Sequence, residues 1–331
     1  MVWSERPAMQ NNQTLREPDR VHFEPVESGV LCGTDFSDGA RQASEVAAIL
    51  AKCAGEQLVL VHAVNETAQE RLPGDLRESL ALYARAELQE ERVRVQATGA
   101  DPVEVFRVGE PVDVLLEQGR THRARLIAMA APGHGNSHPW FHGNVAERVA
   151  GKSEVPALLI RDARPFVRWA RGERRLRVVV GSDWLNDSDS TLQWVQWLRG
   201  LGACEVIVVY FEPRFLAHFT SDALSSFLSD ELVQEFATSH ARQFRRRVRT
   251  ILGNSGVRIR FERGWGISDA HFIELASEER ADLIVVGRPK GWAASHASFC
   301  RGVMHYAPVN VACVPEPTGR THQARVPWAP G

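Results

Sequence analysis

Between residues 29 and 161, short apolar runs alternate with longer stretches whose apolar residues recur every three or four positions. The runs "GVLCG", "LVLVH", "LIAMA" and "PALLI" are continuous in Val, Ile and Leu rather than alternating with polar residues. Continuous runs of this length predict strands buried on both faces of a parallel sheet. Ala43, Val46, Ala47 and Leu50 recur as one buried helix stripe requires, and Ser37 or Asp38 stands where a cap is needed. Leu76, Leu80, Tyr83, Ala84 and Leu88 predict a second buried stripe. The resulting order, β-α-β-α-β-α-β-α-β, predicts a doubly wound α/β domain: an open, mostly parallel five-stranded sheet with helices on both faces.

The pattern then occurs again. "GVLCGTDFSDGARQASEVAAILAKCAGEQLVLVHAV" is answered by "RVVVGSDWLNDSDSTLQWVQWLRGLGACEVIVVYFE", with Asp35 opposite Asp183 and His62 opposite Tyr210. Gly109 falls opposite Gly266, and "VPALLI" opposite "VNVACV". Two copies of this size are two similar domains rather than a solenoid. The expected organisation is an arm at 1–26, domain 1 at 27–161, a linker at 162–175, domain 2 at 176–315 and a tail at 316–331. The polar arm and tail are expected to be disordered, and the linker "RDARPFVRWARGERR" is basic and poor in aliphatic residues. Two exposed edge strands, "PALLI" and "NVACV", invite pairing into an intrachain pseudo-dimer. Homodimerisation of the whole chain is left open.

Composition narrows the function classes. A length of 331 residues suits two domains. A net charge of −2 gives no global attraction to nucleic acid or to an anionic membrane. The basic run 242–249, "RQFRRRVR", reads as a solvated helix face with Phe244 and Val248 turned inward and with Glu231 and Glu235 available for pairing. Cys32, Cys53, Cys204, Cys300 and Cys313 are scattered, odd in number and never in CxxC spacing, so reduced thiols are expected. The N-terminal segment lacks an apolar core of a secretory signal, and no apolar run approaches the ~20 residues of a membrane span. The expected location is the cytoplasm.

The ordered elements "GTDFSDGARQASEVAAILAKCAGEQLVLVHAV" and "RLIAMAAPGHG…HGNVAERVAGKSEVPALLI" resemble the opening and the closing third of the universal stress protein family. The second copy resembles it more loosely through "VVGSDW", "ADLIVVGRPKG" and "YAPVNVACVP". The resemblance implies a tandem member with the adenine nucleotide alpha-hydrolase-like fold and a regulatory role in stress response. One kind of family member binds ATP through a loop of the form G-x2-G-x9-G-[S/T] after the fourth strand. Glycines in such a loop let backbone N–H groups close on phosphate oxygens, and the helix that follows favours an anion at its N-terminus.

In domain 1 the loop positions fall on Ala130, Gly133, Gly143 and Asn144, so the cradle is one glycine short and carries Asn in the hydroxyl position. Asn144 keeps a short polar side chain able to cap the helix. The resemblance further places Thr34 and Asp35 beside the adenine or ribose, Val64 and Met129 beside the base, and Val145 at the helix start. Each has a bland counterpart: Asp35 as a turn former, Val64 and Met129 as strand-end packing. Domain 2 departs further, with Lys290 in place of the second glycine and Ala297-Ser298 in place of Gly-[S/T], as in the kind that binds no nucleotide.

His134, His138 and His142 are four apart, but Pro139 and the glycines oppose a helix there, and a polar loop rather than a metal site is expected. No GxSxG, HExxH or GxxxxGK[ST] occurs, and no nucleophile and base stand at a working spacing, so no enzyme is expected. Three functions follow: adenine-nucleotide sensing by domain 1 with ATP as ligand, a nucleotide-free scaffold for a protein partner, and slow ATP hydrolysis by analogy of fold alone.

Overall fold

The computed structural model describes residues 29–65, 67, 70–131, 144–183, 189–211, 230–262, 268–288 and 295–316. The expected arm and all of the expected tail but Glu316 lie outside them. Domain 1 runs β1 (Gly29–Gly33), α1 (Asp38–Ala54), β2 (Gln57–Val64), α2 (Gly74–Gln96), β3 (Pro102–Val108), α3 (Pro111–Thr121), β4 (Ala124–Ala130), α4 (Asn144–Lys152) and β5 (Ala157–Ile160). A short helix, α5 (Arg164–Ala170), follows. Domain 2 runs β6 (Leu176–Asp183), α6 (Ser190–Leu201), β7 (Cys204–Phe211), α7 (Asp230–Leu252), β8 (Val257–Glu262), α8 (Asp269–Glu278), β9 (Leu283–Arg288), α9 (Ser295–Tyr306) and β10 (Asn310–Pro315).

All ten strands form one sheet in the order β3-β2-β1-β4-β5-β10-β9-β6-β7-β8. Every pairing is parallel except β5 with β10, where Leu159 faces Val311 and Ala157 faces Cys313 in antiparallel register. The two edge strands thus cover one another within the chain, which removes two rows of unpaired backbone groups. Apolar side chains alternate between two cores, one on each face of the sheet. One holds Val30, Cys32, Leu58 and Leu60 with α1; the other holds Leu31, Val59, Val61 and Met129 with α3 and α4.

The stripe Ala43, Val46, Ala47, Leu50 is fully buried, and Ser37 caps α1 by accepting from the Ala40 N–H at 3.2 Å. The second stripe is buried only in part. Ala84 and Leu88 are inside, whereas Leu76, Leu80 and Tyr83 are 45%, 43% and 62% exposed. Length explains the difference. A helix of 23 residues is about 34 Å long, but strands of 8 and 7 residues reach only about 26 Å and 23 Å, so the first turns of α2 overhang the sheet. The linker is itself structured: Phe166 and Trp169 of α5 are buried, and the Trp169 Nε1–H donates to the Ala203 carbonyl at 3.0 Å.

The domain junction is polar as well as apolar. Asn310, 1% exposed, accepts from the backbone N–H groups of Arg161 (2.9 Å) and Asp162 (3.1 Å). It donates to the carbonyls of Asp162 (3.0 Å) and Asp282 (3.1 Å). Arg161 donates to the last carbonyls of α9, Met304 and His305, and Arg288 donates to Gly151 in the last turn of α4. Each domain's final helix is therefore capped by an arginine of the other domain. Cys32, Cys204, Cys300 and Cys313 are buried and unbridged, Cys53 is exposed, and burial raises the Cys204 and Cys313 thiols to about 12 and about 11. Among the described residues no helix is long and apolar enough to cross a membrane.

Candidate functional site

Domain 1 has a topological switch point. The chain lays down β1, β2 and β3 in one direction across the sheet and then returns to place β4 and β5 on the other side of β1. The crevice beyond the carboxyl ends of β1 and β4 is where an open α/β sheet receives a ligand. It is lined by Gly33, Thr34 and Asp35 on one side and by Met129 and Ala130 on the other.

The turn after β1 is tightly built. Thr34 is 7% exposed; its N–H donates to the Val61 carbonyl at 2.9 Å, and its Oγ1 accepts from the Phe36 N–H at 3.1 Å. Phe36 has a φ of 66°, a left-handed conformation. Asp35 is exposed, and its Oδ1 accepts from the Ser37 N–H at 3.1 Å, so it forms the turn while its carboxylate stands at the mouth of the crevice. The His62 ring stacks on Phe36 at 4.3 Å, and its Nδ1 lies 2.8 Å from the Thr34 carbonyl. A carbonyl only accepts, so Nδ1 carries the proton. Burial pushes the His62 pKa below its ordinary value, against the opposing pulls of the Thr34 carbonyl and the Asp35 charge. The imidazole is neutral at pH 7 and serves to hold the turn.

Met129 lies in the core shared with α3 and α4. Val64 does not share that face. Strand alternation puts it on the side of Leu60 and His62, and it is Ala63 that packs toward Met129's core. Ala130 turns toward α1: a Cβ built on Gly39 would stand 3.3 Å from the Ala130 methyl. The extra carbon relative to a glycine is accommodated by Gly39 and directed away from the face of Met129. Val145 is half-buried in the first turn of α4 and packs against the same core as Met129. Gly133, Gly143 and the histidines 134, 138 and 142 lie outside the described residues, as do the Asn144 side chain and Lys290.

Sequence reasoning missed a clamp beside the crevice. Glu110 accepts from Arg148 Nη1 at 2.7 Å and from Asn65 Nδ2 at 3.1 Å, which ties the end of β2 and the start of α3 to α4. It missed Leu115 too: a Cβ on Gly33 would meet its methyl at 3.0 Å, so Leu115 forms the floor under the end of β1.

Domain 2 shows what the corresponding crevice can become. Phe211 occupies the Ala63 position, Phe272 the Leu115 position and Phe299 the Val145 position. Phe272 is fully buried, 5.7 Å from Phe211 and 5.6 Å from Phe299, and a Cβ on Gly181 would strike its ring at 2.9 Å. Three aliphatic residues of domain 1 are thus replaced by three packed rings at the end of β6. A separate cavity of about 550 Å³, lined by Leu116, Arg120, Arg123, Ile127 and Val155, lies at the amino end of β4, away from the crevice.

The family model described as the universal stress protein family matches residues 29–161 and again 175–315. The chain belongs to the universal stress protein family. This tandem member is similar in fold to a universal stress protein from Archaeoglobus fulgidus DSM 4304, at 19% identity and a TM-score of 0.64, over 87% of this chain and 98% of that one. It is similar to a functionally unknown protein from Pseudomonas aeruginosa PAO1, at 14% identity and a TM-score of 0.55, over 88% and 93% of the two chains. A universal stress protein solved in complex with cAMP matches 41% of this chain and 99% of its own, at 26% identity and a TM-score of 0.35. No curated protein matches the sequence.

Proposed function

We propose that domain 1 of this universal stress protein binds an adenine nucleotide, ATP above all, in the crevice between β1 and β4, and that the chain acts by binding rather than by turnover. The observation that carries this reading is the contrast between two equivalent crevices in one chain. Domain 2 fills its own with Phe211, Phe272 and Phe299, whereas domain 1 keeps Ala63, Leu115 and Val145, beneath the exposed carboxylate of Asp35. A base needs a concave apolar slot and the ribose a polar group at its rim. Asp35 is engaged in its turn and His62 on the Thr34 carbonyl, which supports binding without a general base.

Calorimetric titration of ATP with magnesium into the nucleotide-stripped protein tests the reading, beside an Ala63→Phe/Leu115→Phe variant that copies the packing of domain 2. Heat in the parent and none in the variant supports it. No heat in the parent at millimolar ATP overturns it and leaves a nucleotide-free scaffold, a second reading favoured by the filled crevice of domain 2. Phosphate release on prolonged incubation separates binding from hydrolysis.

A further inference from the structure

Helix α7 carries an unbalanced charge. From Thr238 to Leu252 it contains five arginines and no carboxylate. Phe244, Val248 and Leu252 face the core, which leaves Arg242, Arg245, Arg246 and Arg249 exposed. Two of the five arginines are engaged: the Arg245 guanidinium lies 4.6 Å over the Phe261 ring, and Arg247 pairs with Asp189. The side chains of Arg242, Arg246 and Arg249 make no hydrogen bond or ion pair with the described residues. Some arginines elsewhere are paired, as Arg148 is with Glu110, Arg177 with Glu205, and Arg258 with Glu279, and others, such as Arg123, Arg175 and Arg280, are exposed with no ion pair among the described residues; the stripe on α7 gathers three such arginines on one helix. Glu235, one helical repeat upstream, is exposed and forms none of these pairs.

Arg242, Arg246 and Arg249 stand at i, i+4 and i+7, so they share one face over about 10 Å of helix. Like charges at these spacings oppose one another in the free protein. The neutral Gln243 and Thr250 beside them offer no relief.

We propose that this stripe is the docking surface for an acidic protein segment bound in extended form. An extended peptide presents every second side chain on one side, about 7 Å apart, so two successive carboxylates fit within the roughly 10 Å spanned by the stripe. Guanidinium groups take carboxylates in bidentate geometry. Two features favour a peptide over other anions. Among the described residues the aromatic rings nearby, Phe244 and Phe261, lie beneath the helix and under Arg245, so they provide no stacking platform for single-stranded nucleic acid. Among the described residues the exposed face of the stripe carries no apolar residue to enter a bilayer. This proposal stands independently of nucleotide binding by domain 1.

The test is fluorescence anisotropy of a labelled peptide of alternating Glu and Ser, roughly ten residues long, with the full chain at about 150 mM salt. Binding is expected. Arg242→Gln/Arg246→Gln/Arg249→Gln weakens it at least tenfold, the corresponding Lys triple weakens it less, and Arg168→Gln/Arg171→Gln at the end of α5 leaves it unchanged. Circular dichroism confirms that each variant is folded. Equal affinity of the Gln triple for the peptide overturns the proposal. So does tighter, stripe-dependent binding of a single-stranded oligonucleotide or of phosphatidylserine vesicles.

Discussion

His62 illustrates how a single side chain supports the site without lining it. Its Nδ1–H holds the Thr34 carbonyl and its ring fills the space beneath Phe36, so the turn that presents Asp35 rests on it. Replacing it with Phe keeps the ring and removes the hydrogen bond, at an expected cost of about 1–2 kcal/mol by urea denaturation at pH 7. The pH dependence has a definite sign. Burial depresses the folded-state pKa below the ordinary 6.5. The unfolded chain then binds the proton first as pH falls, so this contribution is complete above pH 6.5 and is lost as pH drops through the folded pKa. Denaturation midpoints between pH 8 and pH 5 should fall more in the parent than in His62→Phe. At this scale the sequence puts Asp35 after the first strand and Met129 at the end of the fourth, and the structure has Thr34 and Asp35 following β1 and Met129 near the end of β4. Ala63 rather than Val64 shares the face of Met129, because successive residues of a strand point to opposite faces of the sheet.

Helix α2 shows the limit of periodicity at the scale of an element. Its spacing marks Leu76, Leu80 and Tyr83 as equivalent to Leu88, yet only the turns above β2 and β3 find a partner. Where the stripe should continue inward, Glu91 is buried instead, 4% exposed, and accepts from Arg94 and from Ser44 of α1. Leu88→Ala should cost about 2–4 kcal/mol, as a cavity in a closed core does. Leu80→Ala should cost less than about 1 kcal/mol. Equal losses in the two variants, measured by chemical denaturation, would show that the outer turns are covered in solution. Helix α5 makes the converse point: a segment poor in aliphatic residues still docks, because two aromatic rings, Phe166 and Trp169, bury enough area to hold it.

For the whole molecule the decisive contact is the antiparallel pairing of β5 with β10, which joins two domains into one sheet. Asn310 sits at that seam with its amide fully used. Asn310→Leu strands buried backbone groups from three residues, and a loss of at least about 2 kcal/mol is expected. A single cooperative thermal transition should persist in the parent and split in the variant, as read by calorimetry. The arginine caps give the same junction a further role. Arg288 of domain 2 holds the end of α4, the helix that opens beside the candidate crevice, and Arg161 returns the contact to α9.

The sequence by itself determined the repeat and the strand and helix order. These follow from local periodicity, which survives without knowledge of neighbours. The structure alone decided which turns of α2 are covered, that Ala63 rather than Val64 shares a face with Met129, and that Ala130 turns toward Gly39. It alone brought Phe211, Phe272 and Phe299, far apart in the chain, into one cluster. Packing depends on which surfaces meet across the fold, and residues tens of positions apart carry no mutual signal in a single sequence.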